Sequence, residues 1–296
     1  MAELTLLDGA VATELQRRGV PVAAPWWTTR AVLNGRNRDV LRAVHEEYAT
    51  AGARVITANT FRCNLRALAR NGLADAGLAW MVHAAVGVAE AARDSAGGRV
   101  RVAGSVAPVE DCYRPDLVPP DDELRAEHRW LVVELLRAGV DLVLVETMNT
   151  VREARIAVGE AVAAGAPTWV SFACGPGARL LSGEPLAGAA RAAEAAGASA
   201  VLVNCTRPEH VEACLVALGD ACAGPFGAYP NVEDRAGLPE RGHVDRHVPA
   251  DVGPAEFGSL VARWHADLGA SLLGGCCGTT PEHIAAARAA TAVPAP

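Results

Sequence analysis

The chain has 296 residues, 51% hydrophobic and 4% aromatic, with 27 basic side chains against 34 acidic ones. That length suits one large α/β barrel or two ordinary domains, and the net charge of −7 argues against nucleic acid as the main partner. Every basic residue is an arginine. Without a lysine amine, Schiff-base, pyridoxal-phosphate and Walker-type phosphate-loop chemistries are excluded.

In chain order, eight short apolar runs predict strands: Leu4–Leu7, Arg54–Thr57, Arg99–Ala103, Asp141–Val145, Thr168–Phe172, Ala200–Val203, Pro225–Ala228 and Ala270–Leu273. Most are continuously apolar, the pattern of parallel strands covered on both faces. Helical spacing falls between them. Val40, Leu41, Val44 and Tyr48 form one stripe, and Val211, Cys214, Leu215 and Leu218 another. Ala51-Gly52, Ala138-Gly139, Ala164-Gly165 and Ala196-Gly197 each precede a strand and read as helix ends. Eight β-then-α units with no linker between them predict a single (β/α)8 barrel over residues 1–296. A doubly wound open sheet is the alternative. The long irregular stretches Val106–Pro120 and Tyr229–Pro254 each follow a strand, so they are expected to act as lids over the strand ends.

The opening MAELTLLDG has neither a basic n-region nor a long apolar core, and Leu131–Val145 is interrupted by Glu134, Arg137 and Asp141. A cytoplasmic location without a membrane partner is therefore expected. There the eight cysteines would be thiols or metal ligands rather than disulfides.

Three of those cysteines fall at strand ends: Cys205 after the sixth strand, Cys276 and Cys277 after the eighth. In a closed barrel strands six and eight flank the seventh, so the three sulfurs can converge. Three thiolates with a fourth position open make a soft tetrahedral site suited to catalytic zinc, and a substrate thiol can fill the fourth position. Gly274, Gly275 and Gly278 would let the backbone turn tightly enough to aim adjacent cysteines at one ion. The plain alternative is a pair of small buried residues in a glycine-rich loop.

GGCCGTTPEHI (Gly274–Ile284) and VNCT (Val203–Thr206) resemble the two zinc-binding motifs of the homocysteine S-methyltransferase family. LLDGAVATELQRRG (Leu6–Gly19), HEEYATAGARVITANTF (His45–Phe61), VAGSVAP (Val102–Pro108), GVDLVLVETM (Gly139–Met148) and YPN (Tyr229–Asn231) follow in the family's order. The resemblance implies a zinc-dependent methyltransferase. It would move a methyl group from S-methylmethionine or S-adenosylmethionine to a thiol such as homocysteine, in methionine biosynthesis. It also implies zinc on Cys205, Cys276 and Cys277, with Asp8 and Glu146 near the amino acid's ammonium group. Gly9 and the backbone around Thr60 would donate to the substrate carboxylate. Asn204 would brace the cysteine loop, while Tyr229 and Asn231 would line the pocket or cap the metal. Both substrates are small molecules; the oligomeric state is left open.

Two departures fall at the substrate end. Ala10-Val11-Ala12 replaces a glycine-rich run, which would restrict positive φ and add a methyl near the carboxylate. Val232-Glu233-Asp234-Arg235 replaces small polar residues after YPN. A different thiol or selenol acceptor, or a thioether lyase on a zinc barrel, is the rival reading. His243, Asp245 and His247 have metal-like spacing but lie in a Pro/Gly-rich loop. Cys214 and Cys222 read as packing residues, Cys174 after the fifth strand reads as a bystander within reach of the pocket, and only Trp26 and Trp27 are placed to cover the pocket.

Overall fold

Eight parallel strands form one sheet, and every strand after the first is built from a run that follows a helix. In the computed structural model, which describes residues 3–234 and 247–292, the strands are β1 (Thr5–Leu6), β2 (Val55–Ala58), β3 (Arg101–Val106), β4 (Leu142–Met148), β5 (Thr168–Phe172), β6 (Ala200–Asn204), β7 (Phe226–Tyr229) and β8 (Leu272–Leu273). Neighbours in sequence are neighbours in the sheet, and β1 pairs with β8. A parallel bridge between Leu7 and Val55 joins the two remaining edges. There Asp8 N–H donates to Val55 O at 2.9 Å and Arg54 N–H to Leu6 O at 2.7 Å. The sheet therefore curls into a (β/α)8 barrel, and the open-sheet alternative is set aside.

Closure splits the apolar residues into two layers. Leu7, Leu142, Leu144, Trp169 and Leu202 fill the interior, with Tyr229 at one end and Cys276 packed against it. The larger core lies between strands and helices, where Trp264, Phe257, Tyr48 and Phe172 are almost wholly buried. All seven residues of β4 and all five of β6 are buried, because helices cover their outer face and the barrel core their inner one. Helices α1 (Val11–Arg17) and α2 (Gly35–Ala51) follow β1; α3 (Leu65–Arg70) and α4 (Asp75–Ser95) follow β2. Then α5 (Asp121–Ala138), α6 (Val151–Ala163), α7 (Leu186–Ala195), α8 (Pro208–Ala221), α9 (Pro254–Leu268) and α10 (Pro281–Thr291) complete the ring.

The four Ala-Gly helix ends are found as expected, with positive φ at Gly52, Gly139, Gly165 and Gly197. Two features had no sequence expectation. After β5 a small antiparallel hairpin pairs Cys174–Gly175 with Arg179–Leu180, and two helices rather than one separate β2 from β3. No described helix is long and apolar enough to cross a membrane.

Candidate active site

The cysteines meet at the C-terminal face of the barrel. Cys205 is the first residue after β6 and holds a positive φ of 48°, which turns its side chain off the strand line. Cys276 and Cys277 lie in the loop between β8 and α10. That loop is pinned on both sides: Cys276 N–H donates to Pro230 O at 2.8 Å, and Gly278 N–H donates to Thr13 Oγ1 at 3.0 Å. Of its three glycines only Gly278 needs positive φ (84°). At Gly275 a Cβ would sit 2.3 Å from Thr279 Oγ1, so the requirement there is close packing rather than an unusual turn. The three sulfurs all lie within 4.8 Å of one another, Cys205 to Cys276 at 2.6 Å and Cys276 to Cys277 at 3.9 Å.

A second cluster shares Cys277. His247 Nδ1 lies 2.7 Å from Glu233 Oε1, and both side chains are within 4.8 Å of the Cys277 sulfur. Burial opposes a charged His247 ring, yet the Cys277 and Glu233 contacts raise it to about 10. Contacts with Cys205 and Cys276, reinforced by His247, hold Cys277 well below the usual thiol range, and contacts with Cys276 and Cys277 push Cys205 up. The Cys205 contact lowers Cys276, but Cys277 and burial push it up overall. His247, set aside in sequence as part of a Pro/Gly-rich loop, thus stands beside Cys277. Its sequence companions His243 and Asp245 lie outside the described residues, as does Arg235.

The buried carboxylates Asp8 and Glu146 share the cavity with the thiols, as does Glu233 beside His247. Asp8, just past β1, accepts from Thr57 N–H at 2.7 Å and Thr57 Oγ1 at 3.1 Å. Burial nonetheless pushes it from 3.8 up to about 7, and the Glu146 charge adds to the shift. Glu146 lies within β4, where the register against β5 shifts between Val145 and Met148. Such an irregularity re-aims a strand side chain. Ser105 Oγ donates to Glu146 Oε1, and Tyr229 OH donates to Oε2 at 3.3 Å. Burial raises Glu146 from 4.5 to about 7 against both hydrogen bonds.

Tyr229 and Gly9 also line this cavity of about 210 Å³, which dwarfs the roughly 30 Å³ of one water. No described group accepts the Gly9 N–H. The remaining expectations need correction. Of the backbone around Thr60, Asn59 and Phe61 line the cavity but Thr60 itself does not: its N–H donates to Ala58 O at 2.7 Å and its hydroxyl to Ser105 O at 2.9 Å. Asn204 braces β4 rather than the cysteine loop. Its Oδ1 accepts from Thr147 N–H at 3.0 Å and Ser171 Oγ at 2.8 Å, and its Nδ2 donates to Thr147 Oγ1 at 2.7 Å. Asn231 also stays off the cavity wall, where its Oδ1 accepts Glu233 N–H at 2.9 Å and caps a turn. Ala10 has φ −66°, so the loss of a glycine there restricts nothing, and its N–H donates to Thr279 Oγ1 at 3.1 Å.

The wall facing the cysteines comes from loops after β1, β2 and β3, and sequence reasoning found only Trp27 on it. Phe61, Arg62, Asp111, Cys112 and Tyr113 complete it. Cys112 is therefore cavity wall rather than remote packing, and burial pushes its thiol up to about 12. Trp26 packs against the outer core instead. The one available signal was position: residues 106–120 were legible as a lid, though not which side chains it would present.

A closed parallel barrel with thiols and carboxylates at its C-terminal face defines a (β/α)8 enzyme with a candidate cysteine metal site. The homocysteine S-methyltransferase family model matches residues 5–291, and the chain belongs to that family of S-methyltransferases. It is 31% identical to the homocysteine S-methyltransferase of Escherichia coli K12, across 97% of this chain and 95% of that one. A selenocysteine Se-methyltransferase of Brassica oleracea var. italica is 28% identical, across 95% and 87%. Among solved structures, the metallated form of the Escherichia coli homocysteine methyltransferase MmuM superimposes with a TM-score of 0.83 at 30% identity. That match covers 97% of this chain and 96% of the other.

Proposed function

We propose that this protein transfers a methyl group from a sulfonium donor, S-methylmethionine or S-adenosylmethionine, to the sulfur of homocysteine, giving methionine. The reading rests on one observation: thiols from two different strand ends share a cavity with the buried carboxylates Asp8 and Glu146. The donor set suits zinc. Thiolates at ~2.3 Å from a tetrahedral ion stand roughly 3.8 Å apart, as Cys276 and Cys277 do at 3.9 Å, while Cys205 and Cys276 are closer than that geometry holds. Held by Cys205, Cys276 and Cys277, zinc would keep the acceptor sulfur as thiolate at neutral pH.

The chain's own residues bind and orient. Asp8 and Glu146 attract the acceptor's ammonium group, with an attraction strengthened where water is excluded. Gly9 N–H faces the cavity ready for a carboxylate oxygen. Tyr229 and Ser105 fix the Glu146 carboxylate by hydrogen bonds, and Asn204 positions the strand end beside it. In-line displacement breaks the donor's methyl–sulfonium bond and forms the new carbon–sulfur bond. The electron pair stays on the departing thioether, so no protein nucleophile is required. The setting fits a cytoplasmic enzyme, in keeping with reduced thiols.

Metal analysis of reduced protein, with and without Cys276→Ala, paired with mass spectrometry of a donor-by-acceptor matrix including selenocysteine, tests this reading. Stoichiometric zinc lost in the variant, together with methylated homocysteine, is the expected result. Zinc unaffected by the substitution, or no methylated product from any pairing, sinks it. Thiol released from a thioether without donor would instead identify a lyase.

A further inference from the structure

Arg62 stands apart from the arginines around it. Arg66, on α3, pairs with Glu110 at 2.7 Å and Glu123 at 3.0 Å, and Arg70 pairs with Glu110 at 2.8 Å. Arg62 has no ion pair or side-chain hydrogen bond among the described residues. Instead its guanidinium carbon lies 5.1 Å from the Trp27 ring centre and 5.2 Å from that of Phe61. Two ring contacts restrain a guanidinium while leaving its N–H edge available for a planar anion. Asp111 lies on the same wall but forms no ion pair with Arg62; its Oδ1 accepts the Tyr113 N–H at 2.9 Å.

The cavity holds charges of both signs. Asp8, Glu146, Glu233 and the three thiols line it together with His247 and Arg62. Among the described residues Arg62 is the arginine on its wall. A carboxylate anywhere near Asp8 or Glu146 would be repelled unless it were tied down, whereas one at Arg62 would meet an unpaired fork of donors. A molecule that is cationic at one end and anionic at the other is thereby oriented. Its cation faces the thiols and its carboxylate faces Arg62.

We propose that Arg62, braced by Trp27 and Phe61, binds the carboxylate of the methyl donor and selects donors that carry one. The inference rests on the methyl-transfer reading above. In-line attack requires the donor's leaving group to point away from the acceptor sulfur. In the proposed function the acceptor's sulfur is held at the cysteines, its ammonium group at Asp8 and Glu146 and its carboxylate at Gly9, so the donor's carboxylate is the anion assigned to Arg62 on the same cavity.

The test uses full-length, reduced, zinc-loaded protein, with S-methylmethionine and its decarboxylated sulfonium counterpart as probes. Arg62→Met should raise the KM for S-methylmethionine about 10- to 100-fold, the size of a lost charge-assisted contact, with a smaller effect on kcat. Arg62→Lys should recover part of the loss. The natural protein should disfavour the decarboxylated donor by a similar factor, and Arg62→Met should not discriminate. Calorimetric binding of S-methylmethionine to both proteins supplies a readout without turnover. Weaker binding in Arg62→Met supports the role of Arg62 even if methyl transfer to homocysteine fails. A rise in acceptor KM alone would move the carboxylate to the other substrate and overturn the proposal. Unchanged discrimination between the two donors would overturn it as well.

Discussion

The two walls of the cavity are built in different ways. The cysteine wall hangs on strand ends: Cys205 directly follows β6, Glu146 lies within β4, and the loop carrying Cys276 and Cys277 is pinned to the β7 end and to α1. The facing wall is carried by connecting segments, with Trp27, Arg62 and Tyr113 arriving from three separate loops. Strand ends are held by the barrel's own hydrogen bonds, so they can fix a reacting centre tightly. Loops tolerate change and suit the choice of substrate. On the proposed reading, chemistry belongs to the strand ends and selectivity to the loops of one small chamber.

The sharpest way to break this contrast is at a sulfur. Cys205→Ala or Cys276→Ser should remove stoichiometric metal and lower activity on the order of 10³-fold, measured by elemental analysis and turnover on the same sample. Glu146→Gln keeps the side chain's shape but deletes its charge. It should cost about 30- to 1,000-fold in kcat/KM for an amino-acid acceptor, with metal content retained.

A pH series tests the buried carboxylates. Asp8 and Glu146 sit near 7 because burial disfavours their charged forms. Affinity for a cationic ligand should therefore rise about tenfold per group between pH 6 and 8 as each ionises. The folded protein alone should respond in the opposite sense. Between the ordinary values of 3.8 and 4.5 and the raised values near 7, the native state holds more protons than the unfolded chain. Its stability should fall as pH climbs through that window, and denaturant midpoints across the range would measure this. Absence of a ligand-affinity slope would remove both groups from substrate binding. The smallest effect belongs to the facing wall's own thiol. Cys112→Ala should leave metal stoichiometry unchanged and cost less than about tenfold in kcat/KM, as expected for a wall residue.

The same contrast governs what could be read from sequence. Thr168–Phe172 is a strand with the predicted boundaries, and the other runs differ only at their ends, because continuous burial on both faces leaves a compositional mark. Cysteines beside glycine at a strand end carry a comparable mark. Arg62 and Tyr113 carry none: an arginine before a helix and a tyrosine in a lid look like ordinary surface residues until Trp27 and the β3–α5 loop fold against them. Thr60 and Asn231 fail for the opposite reason. Their motifs place them near the site, but their polar atoms are consumed in holding loops together. The His247 contact carries no sequence signal because its partner Glu233 lies 14 residues away.

The hydrogen bonds behind Glu146 form a circuit. Tyr229 OH lies 3.3 Å from Glu146 Oε2 and 2.5 Å from Ser171 Oγ; Ser171 Oγ lies 2.8 Å from Asn204 Oδ1, and Asn204 holds Thr147, which is joined to Glu146 by a peptide bond. Four adjacent strands are thus threaded on one loop of polar contacts, with Thr147 kept at a φ of 58° as part of it. Links in such a circuit do not act singly. Opening it at Ser171, which touches no cavity surface, should leave little further for Asn204→Ala to remove. The lost stability and the altered carboxylate would then be shared between two residues instead of summed over them.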